Sequence, residues 1–345
     1  MMIKPSELKQ YWVQFLQFAC TCIFLFATPA HAKESLPGIG LKVTPVMSPI
    51  IEERFQGLII QDALKKLGYE IQPYKIKTYK DSLKAIAKGE ATYSTSFWFP
   101  LHKNMLKEVS EGKQFIYKKP FISGAAQGYL IDKKTADQYN IRSLSDFKKP
   151  KIAKLFDINN DQKADFIGCQ KDWGCNAVIE HQLNAYNLRN TVEHHQGTYS
   201  ESVTALLERF NAGKSIFYYT WTPYWLSSNL KPAEDVIWLE VPFSAHPNGI
   251  DTTLANGKNY GFKVNNIHII SLKSFTLANP SVAKLFETAS LSINEVSAQN
   301  KLIYEGENTE EDIKRHAKEW IKKNQKRFDR WIEKSMKANR IKQWP

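Results

Sequence analysis

Apolar residues along this chain recur with two different periods, and segments of the two kinds alternate. From Ile51 to Leu67 they fall on one helical stripe that Gly68 ends, which predicts a helix. Shorter runs rich in β-branched and aromatic residues predict strands. The predicted strands are 41–46, 91–98, 128–131, 216–221 and 236–241, and the further helices are 177–188, 202–210 and 279–286. Such alternation predicts an α/β fold with mainly parallel sheets.

Two prolines predict where helices begin. Proline is favoured in the first turn of a helix, so Pro100 is expected to open the helix after strand 91–98. Asn279 and Pro280 form a pair of capping and first-turn residues for the helix that runs through Phe286.

The N-terminus has the three parts of a secretory signal peptide. Lys4 and Lys9 give a basic start, residues 15–26 form a largely apolar run, and an Ala-x-Ala signal ends at Ala32. We therefore predict a signal peptide over residues 1–32 that is removed by cleavage. The alternative is an N-terminal membrane anchor, for which the apolar run is short.

Length and charge limit the possible classes of protein. The chain has 345 residues, a formal net charge of +12 and 43% hydrophobic residues, which suggests two lobes or domains and not a disordered chain. Half of the excess charge lies after residue 309, where Ile313, Trp320 and Trp331 recur at helical spacing. We interpret this segment as amphipathic helices with a solvated basic face. Binding of nucleic acid or an anionic surface is the alternative.

Cysteines outside the signal peptide number only two, Cys169 and Cys175. An exported chain lies in an oxidising compartment, so we predict one disulfide between them, closing a short loop around Trp173. A metal site would need further cysteines or a nearby pair of histidines.

One polar turn has oxygen ligands at calcium-loop spacing. The candidate ligands are Asp157, Asn159, Asp161 and Asp165. However, Gln162 stands where such a loop needs glycine, and Gly168 stands where it needs glutamate. We therefore favour a polar turn over a calcium site. His194 and His195 are adjacent and point different ways on one element, which makes them poor paired ligands.

Tryptophan, and not a catalytic motif, is the unusual feature of this sequence. There is no Gly-x-Ser-x-Gly, His-Glu-x-x-His or Gly-rich phosphate loop. Trp98, Trp173, Trp221 and Trp225 fall in turns marked by Gly, Pro or Cys, where ring faces can line a cleft. Several such faces suit a cation without N–H groups, notably a quaternary ammonium. The alternative is that each tryptophan is a core residue.

Four segments resemble, in order, those of a known family. They are Phe97–Met105, Gly124–Asp132, Gly168–Cys175 and Tyr218–Trp225. They are similar to the periplasmic glycine betaine/proline betaine-binding proteins of osmoprotective ABC importers, over essentially the whole mature chain. The resemblance implies a two-lobed, type II-like periplasmic binding protein fold with two crossovers between the lobes. We expect residues 33–126 and 262–345 in the first lobe and 127–261 in the second.

The resemblance also implies a ligand site. Six residues match the family's binding positions: Trp98, Trp173 and Trp221 around the quaternary ammonium, His102 on the carboxylate, and Gly174 and Cys175 as backbone N–H donors. A methylated cation leaves only cation–π attraction and burial, whereas a carboxylate needs donors, which a helix start supplies. The family disulfide matches Cys169–Cys175. Phe97 and Phe99 depart from the family pattern beside Trp98, and we interpret Trp225 as a packing residue.

These observations predict a binding protein and not an enzyme. We expect a periplasmic monomer without a cofactor, a metal or bound nucleic acid, which captures glycine betaine or proline betaine for osmoprotective uptake. It would pass this amino-acid derivative to a membrane permease with its ATPase. An exported enzyme that acts on a quaternary-ammonium compound is the alternative, but no nucleophile, base or metal group supports it. A sensory or adhesive module is a third possibility.

Overall fold

Strands and helices alternate as predicted in a computed structural model, which describes residues 36–342 and their side chains through residue 339. The strands are β1 (Lys42–Val43), β2 (Val46–Met47), β3 (Glu70–Ile71), β4 (Lys75–Ile76), β5 (Tyr93–Phe99), β6 (Phe115–Ile116), β7 (Pro120–Ala125), β8 (Gln127–Asp132), β9 (Ala164–Ile167), β10 (Val192–His195), β11 (Phe217–Trp221), β12 (Val236–Trp238) and β13 (Asn265–Leu272). The helices are α1 (Arg54–Lys66), α2 (Tyr79–Ala87), α3 (Lys103–Val109), α4 (Lys133–Gln138), α5 (Pro150–Ala153), α6 (Gly174–Ala185), α7 (Tyr199–Asn211), α8 (Leu226–Asn229), α9 (Lys273–Ala278), α10 (Pro280–Thr288), α11 (Ile293–Tyr304), α12 (Glu310–Lys323) and α13 (Gln325–Lys342). Short 3-10 helices lie at Ile51–Glu53, Leu144–Lys148 and Lys154–Phe156.

Two larger sheets organise the described residues. One has the strand order β10-β9-β11-β8-β12 and is built only from residues 127–238. The other has β13 at its centre, where it pairs with β5, β6 and β7. Two small parallel pairs, β1 with β3 and β2 with β4, lie outside them. The strands of each larger sheet therefore come from separate stretches of the chain.

The prediction of mainly parallel sheets is wrong. A parallel pair needs a crossover that returns the chain to the end where the first strand began. Instead, β13 begins beside the end of β7, where Asn265 pairs with Ala125. Likewise, β12 begins beside the end of β8, where Val236 pairs with Asp132. Both strands therefore run antiparallel to their neighbours. The parallel pairs of the five-stranded sheet are β9 with β10 and β9 with β11.

The turn at Pro100 differs from the prediction, because the next helix begins at Lys103 and not at the proline. The peptide bond between Phe99 and Pro100 is cis. The N–H of His102 donates to the Trp98 carbonyl over 2.8 Å, which closes a tight turn before the helix. This turn holds His102 close to Trp98 at the end of β5.

Helix α10 begins at Pro280 as predicted, but Asn279 does not cap it with its side chain. The Asn279 amide donates to the Phe275 carbonyl of α9 over 3.0 Å, and its oxygen accepts from the Tyr69 hydroxyl at 3.4 Å. The Asn279 side chain therefore hydrogen-bonds to the preceding helix and to Tyr69, and not to the start of α10. The start of α10 rests on the favoured position of proline alone.

The two C-terminal helices are amphipathic, as predicted. Ile313, Trp320 and Trp331 are buried, and the Trp320 and Trp331 rings stack with centroids 5.7 Å apart. The Arg327 guanidinium lies 4.7 Å over the Trp320 ring. Within residues 36–342 no helix is both long and apolar enough to cross a membrane. The predicted signal peptide lies outside the described residues.

Candidate ligand-binding site

A small cavity brings together all six residues that the sequence predicts for a ligand. They are Trp98, His102, Trp173, Gly174, Cys175 and Trp221. The other lining residues are Ile50, Tyr79, Leu101, Gln127 and Tyr219. Its volume is about 30 Å³, comparable to the share of liquid volume that a single water molecule takes. Residues from both larger sheets thus meet around a very small space.

The tryptophans reach this cavity from three different elements. Trp98 lies in the buried strand β5, Trp221 ends β11, and Trp173 immediately precedes α6. The rings of Trp173 and Trp221 meet edge to face, with centroids 5.3 Å apart. The Tyr224 ring lies 4.3 Å from that of Trp221 on a further side. Aromatic pairs at such separations attract one another, so neighbouring rings hold the tryptophan planes in place.

The start of α6 offers backbone donors to the cavity. Trp173 is extended at φ −88° and ψ 150°, and no side chain caps the helix. The N–H groups of Gly174 and Cys175 in the first turn therefore lack intrahelical partners, and the helix dipole makes this end positive. The Cys169–Cys175 disulfide is present, with the two Cα atoms 6.0 Å apart. It ties the first helical turn to the end of the preceding strand segment.

Gly174 also allows two distant segments to approach each other. A Cβ atom at this position would lie 3.0 Å from Cγ of Leu101 and 3.3 Å from Cδ2 of His102. Glycine therefore permits the start of α6 to contact the turn that follows β5. This contact encloses the cavity on the side of His102.

His102 is buried and neutral. Its Nδ1 accepts a hydrogen bond from the Trp98 backbone N–H at 3.2 Å, so the ring proton lies on Nε2. Burial lowers the pKa of His102 to about 3. The ring is therefore a neutral donor at Nε2, suited to a carboxylate oxygen.

Glu53 and Tyr79 contact Trp98 and were not predicted from the sequence. Tyr79 lines the cavity, whereas Glu53 does not. The Trp98 indole N–H donates to Oε1 of Glu53 over 2.8 Å, and the Tyr79 hydroxyl donates to the same oxygen over 3.2 Å. The Tyr79 ring packs on the His102 ring with centroids 4.4 Å apart. The apolar helical stripe of residues 51–67 did not single out Glu53, which lies two residues from Ile51 and from Phe55 and so faces away from both on a helix.

Gln127 is a further residue that was not predicted from the sequence. Its Oε1 accepts from the Tyr219 hydroxyl at 2.7 Å. Its Nε2 is buried and has no hydrogen-bond partner among the described residues. An unsatisfied buried donor is costly, by about 1–3 kcal/mol. The amide of Gln127 is therefore ready to donate to an acceptor inside the cavity.

Trp225 lies outside this cavity. Its ring stacks on that of Tyr304, with centroids 4.2 Å apart and planes 17° from parallel. Its side chain also hydrogen-bonds to Glu52, whose pKa burial raises to about 7. These contacts agree with the interpretation of Trp225 as a packing residue.

The predicted calcium-loop residues form a turn rich in side-chain-to-backbone hydrogen bonds. The Asp157 carboxylate accepts from the N–H groups of Asn160 and Gln162, and Asp161 accepts from that of Lys163. Such bonds are typical of Asx turns, and the calcium alternative stays a prediction. Beside the turn, ligand atoms of three residues lie within 4.8 Å of one another. The three are Asp165, Glu193 and His195.

His194 and His195 point in different directions, as expected for neighbours on a strand. His194 contacts Glu180 at 2.6 Å, whereas His195 contacts Asp165 at 2.6 Å. The two rings therefore do not share a site.

Comparison with known families identifies the class of protein. Residues 42–323 match the family described as the substrate-binding domain of the ABC-type glycine betaine transport system. This chain belongs to that family. The matched range contains every residue that lines the cavity.

Curated relatives of this family member have high sequence identity over nearly their whole length. A glycine betaine/proline betaine-binding periplasmic protein of Escherichia coli (strain K12) is 46% identical over 325 residues, which cover 94% of this chain and 98% of that protein. The glycine betaine-binding periplasmic protein OusX of Dickeya dadantii is 45% identical, covering 89% and 94%.

Solved structures share the α/β fold of substrate-binding proteins. Lactococcal OpuAC in its closed conformation with glycine betaine has a TM-score of 0.64 at 23% identity, covering 85% of this chain and 99% of that one. An ABC-transporter choline-binding protein in complex with choline has a TM-score of 0.67 at 16% identity, covering 86% and 96%. This chain therefore has the α/β fold of these substrate-binding proteins.

Proposed function

We propose that this protein is the substrate-binding component of an ABC importer and captures glycine betaine and proline betaine in the periplasm for osmoprotection. The supporting observation is the convergence of three indoles, a neutral histidine and an uncapped helix start on one cavity. The curated relatives carry the names of proteins that bind these ligands. Betaines are zwitterions, and the cavity offers groups for both of their charges.

Each pole of the ligand has its own set of contacts. Trp98, Trp173 and Trp221 would enclose the quaternary ammonium, which cannot donate hydrogen bonds and is attracted to ring faces. The carboxylate would accept from Nε2 of His102 and from the first N–H groups of α6. The Gln127 amide would add a donor, since the carboxylate is the only acceptor that such a ligand carries.

The cavity is small, at about 30 Å³, and we infer that the lobes separate to admit a ligand. We assign residues 33–126 and 262–345 to one lobe and residues 127–261 to the other. The crossovers would lie between β7 and β8 and just before β13. Rotation about these connections would open and close the cavity, as hinge motions do in other two-lobed proteins.

The remaining parts of the proposal concern location and partners. A signal peptide over residues 1–32 would direct the chain to the periplasm, where it acts as a monomer. A membrane permease with its ATPase would receive the ligand from the closed form. The alternative, an exported enzyme acting on a quaternary-ammonium compound, predicts a product after incubation with betaine, and we expect none.

Isothermal titration calorimetry of the mature chain tests this function. The panel is glycine betaine, proline betaine, carnitine, choline and, as a control, glycine. We expect saturable binding of at least the first two and none of glycine, whose ammonium group would bury N–H donors against ring faces. Folded protein that releases no heat with any betaine at millimolar concentration would disprove the proposal.

A further inference from the structure

Glu53 is a buried carboxylate behind the ligand cavity, and all of its partners are uncharged donors. It is the last residue of the 3-10 helix Ile51–Glu53, and it is 8% exposed. The Trp98 indole and the Tyr79 hydroxyl donate to Oε1, over 2.8 Å and 3.2 Å. The Ser48 hydroxyl makes a short hydrogen bond to Oε2. These three donors favour the ionised carboxylate.

The charge of Glu53 has no cationic partner within residues 36–339, where no lysine or arginine forms an ion pair with it. Burial raises the pKa of Glu53, and the hydrogen bonds from Ser48 and Trp98 oppose that rise. Uncompensated buried charges are costly, and a cation nearby removes part of the cost. The ionised form of Glu53 is therefore the form that a bound cation would stabilise.

The geometry at Trp98 links this charge to the cavity. The indole edge carries the N–H and points to Glu53, while the ring lines the cavity. A carboxylate that accepts from the N–H adds negative potential at the ring, and cation–π attraction depends on that potential. The same hydrogen bond restrains the orientation of the Trp98 ring.

We propose that Glu53 is a positioning residue and the buried counter-charge for the quaternary ammonium, acting through the Trp98 indole. This inference rests on the proposed betaine-binding function. With Glu53, the site would prefer cations over neutral groups more strongly than the three indoles alone would. No direct contact between Glu53 and the ligand is required.

The first experiment compares two ligands of equal shape. Glycine betaine and 3,3-dimethylbutanoate differ only in the replacement of N⁺ by carbon, so their affinity ratio measures recognition of the positive charge. Glu53→Gln keeps the side-chain size and an acceptor oxygen but removes the charge. We expect betaine affinity to fall at least about tenfold, with little change for dimethylbutanoate, so the ratio falls by a similar factor. An unchanged ratio in folded Glu53→Gln protein would overturn the inference.

The second experiment tests the route through Trp98. Trp98→Phe keeps a ring but has no N–H for Glu53. In that background Glu53→Gln should weaken betaine binding by less than about threefold, because the link is already lost. Equal losses in both backgrounds would show a general structural role and contradict the proposal.

Failure of this inference can be distinguished from failure of the proposed function. If the wild-type chain does not bind betaine, the function itself is wrong, whatever Glu53 does. If Glu53→Gln does not fold, as judged by thermal melting, Trp98→Phe alone decides. Its ratio of betaine to dimethylbutanoate affinity should fall at least about fivefold, and an unchanged ratio would refute the role of the indole N–H. Ser48→Ala, which removes one donor and keeps the charge, is the matched control and should retain the ratio.

Discussion

The backbone N–H of Trp98 donates to Nδ1 of His102 over 3.2 Å. This hydrogen bond sets the tautomer of the residue that we assign to the ligand carboxylate, using the backbone of a residue that we assign to its cation. Because Nδ1 accepts, the only ring proton lies on Nε2 and is free for a ligand. The tight turn at Pro100 makes this arrangement possible, since it brings the two residues together.

Because His102 is buried and neutral, the free energy of unfolding should depend on pH. Its pKa is about 3 in the folded protein and about 6.5 in the unfolded chain. Between these values unfolding takes up a proton, so the free energy of unfolding falls as the pH falls, by up to ~1.4 kcal/mol per pH unit. His102→Gln should therefore lose stability less steeply between about pH 6.5 and about pH 4. Urea unfolding of both proteins across this range measures the slopes.

The comparison of slopes does not depend on how much the substitution destabilises the protein at neutral pH. Other buried histidines, such as His268, contribute equally to both proteins and cancel. Parallel stability curves for wild type and His102→Gln would contradict the assignment of a neutral, buried ring.

The six candidate ligand residues, which line one cavity, could be proposed from the sequence because they lie in local motifs. Trp98 and His102 are four residues apart, and Trp173, Gly174 and Cys175 are consecutive, so a family resemblance could assign them one by one. The alternation of strands and helices was also local and is confirmed by the bounds of most elements.

Features that depend on long-range pairing escaped the sequence analysis. Strand direction depends on where β13 enters its sheet, which no local period reveals. Glu53 and Gln127 gain their roles from contacts with Trp98 and Tyr219, 45 and 92 residues away in sequence. Glu53 lies off the predicted apolar stripe, so its burial and its partners become known only from the fold.

A substitution at Gly174 should weaken ligand binding without affecting folding. A Cβ atom there would crowd Leu101 and His102 at 3.0 Å and 3.3 Å, and overpacking typically costs about 1–3 kcal/mol. If the two segments belong to different lobes, the cost falls on the closed form alone. Gly174→Ala should then weaken glycine betaine binding about tenfold or more, with a nearly unchanged melting temperature.

A matched control is available at Gly197, where an added Cβ would have no atom within 4 Å. Gly197→Ala should bind betaine like the wild type. If Gly174→Ala also binds like the wild type, close approach at the start of α6 is not needed for closure.

Gln127 should affect the binding of ligands that carry a carboxylate more than that of ligands without one. Gln127→Leu removes the buried, unpartnered Nε2 donor, but it also removes the acceptor of the Tyr219 hydroxyl, so stability should fall, by no more than about 1–3 kcal/mol. Betaine affinity should fall, since a hydrogen bond to a charged group contributes about 1.5–3 kcal/mol. Choline has no carboxylate, so its affinity, where measurable, should change little. Equal effects on the two ligands would show that Gln127 does not donate to the carboxylate.

Salt should affect ligand affinity only weakly. The ligand is a zwitterion without net charge, and its contacts lie in a buried cavity where screening is small. Glycine betaine affinity is therefore expected to change by less than about threefold between about 0.05 M and about 1 M KCl. Calorimetry at both concentrations measures this. A steep fall would indicate a surface electrostatic binding mode instead of a closed cavity.

The four tryptophans should separate into binding and packing residues. Trp98, Trp173 and Trp221 line the cavity, and replacing any of them by Ala removes one ring face, worth ~0.5–2 kcal/mol in cation–π attraction with lost burial in addition. Replacement by Phe should retain part of the affinity, because a ring face remains.

Trp225 is the matched comparison, because it is as buried as Trp221 at 7% exposure but stacks on Tyr304 outside the cavity. Trp225→Ala should destabilise the fold by about 3–5 kcal/mol, as large-to-small core substitutions do, and reduce betaine affinity less than the other three. Thermal melts and calorimetric affinities on the same four variants separate the two effects. If folded Trp225→Ala lost all binding while Trp98→Ala retained it, the assignment of the three cavity-lining tryptophans to the ligand would be wrong, because affinity would then follow the Tyr304 contact and not the cavity-lining indoles.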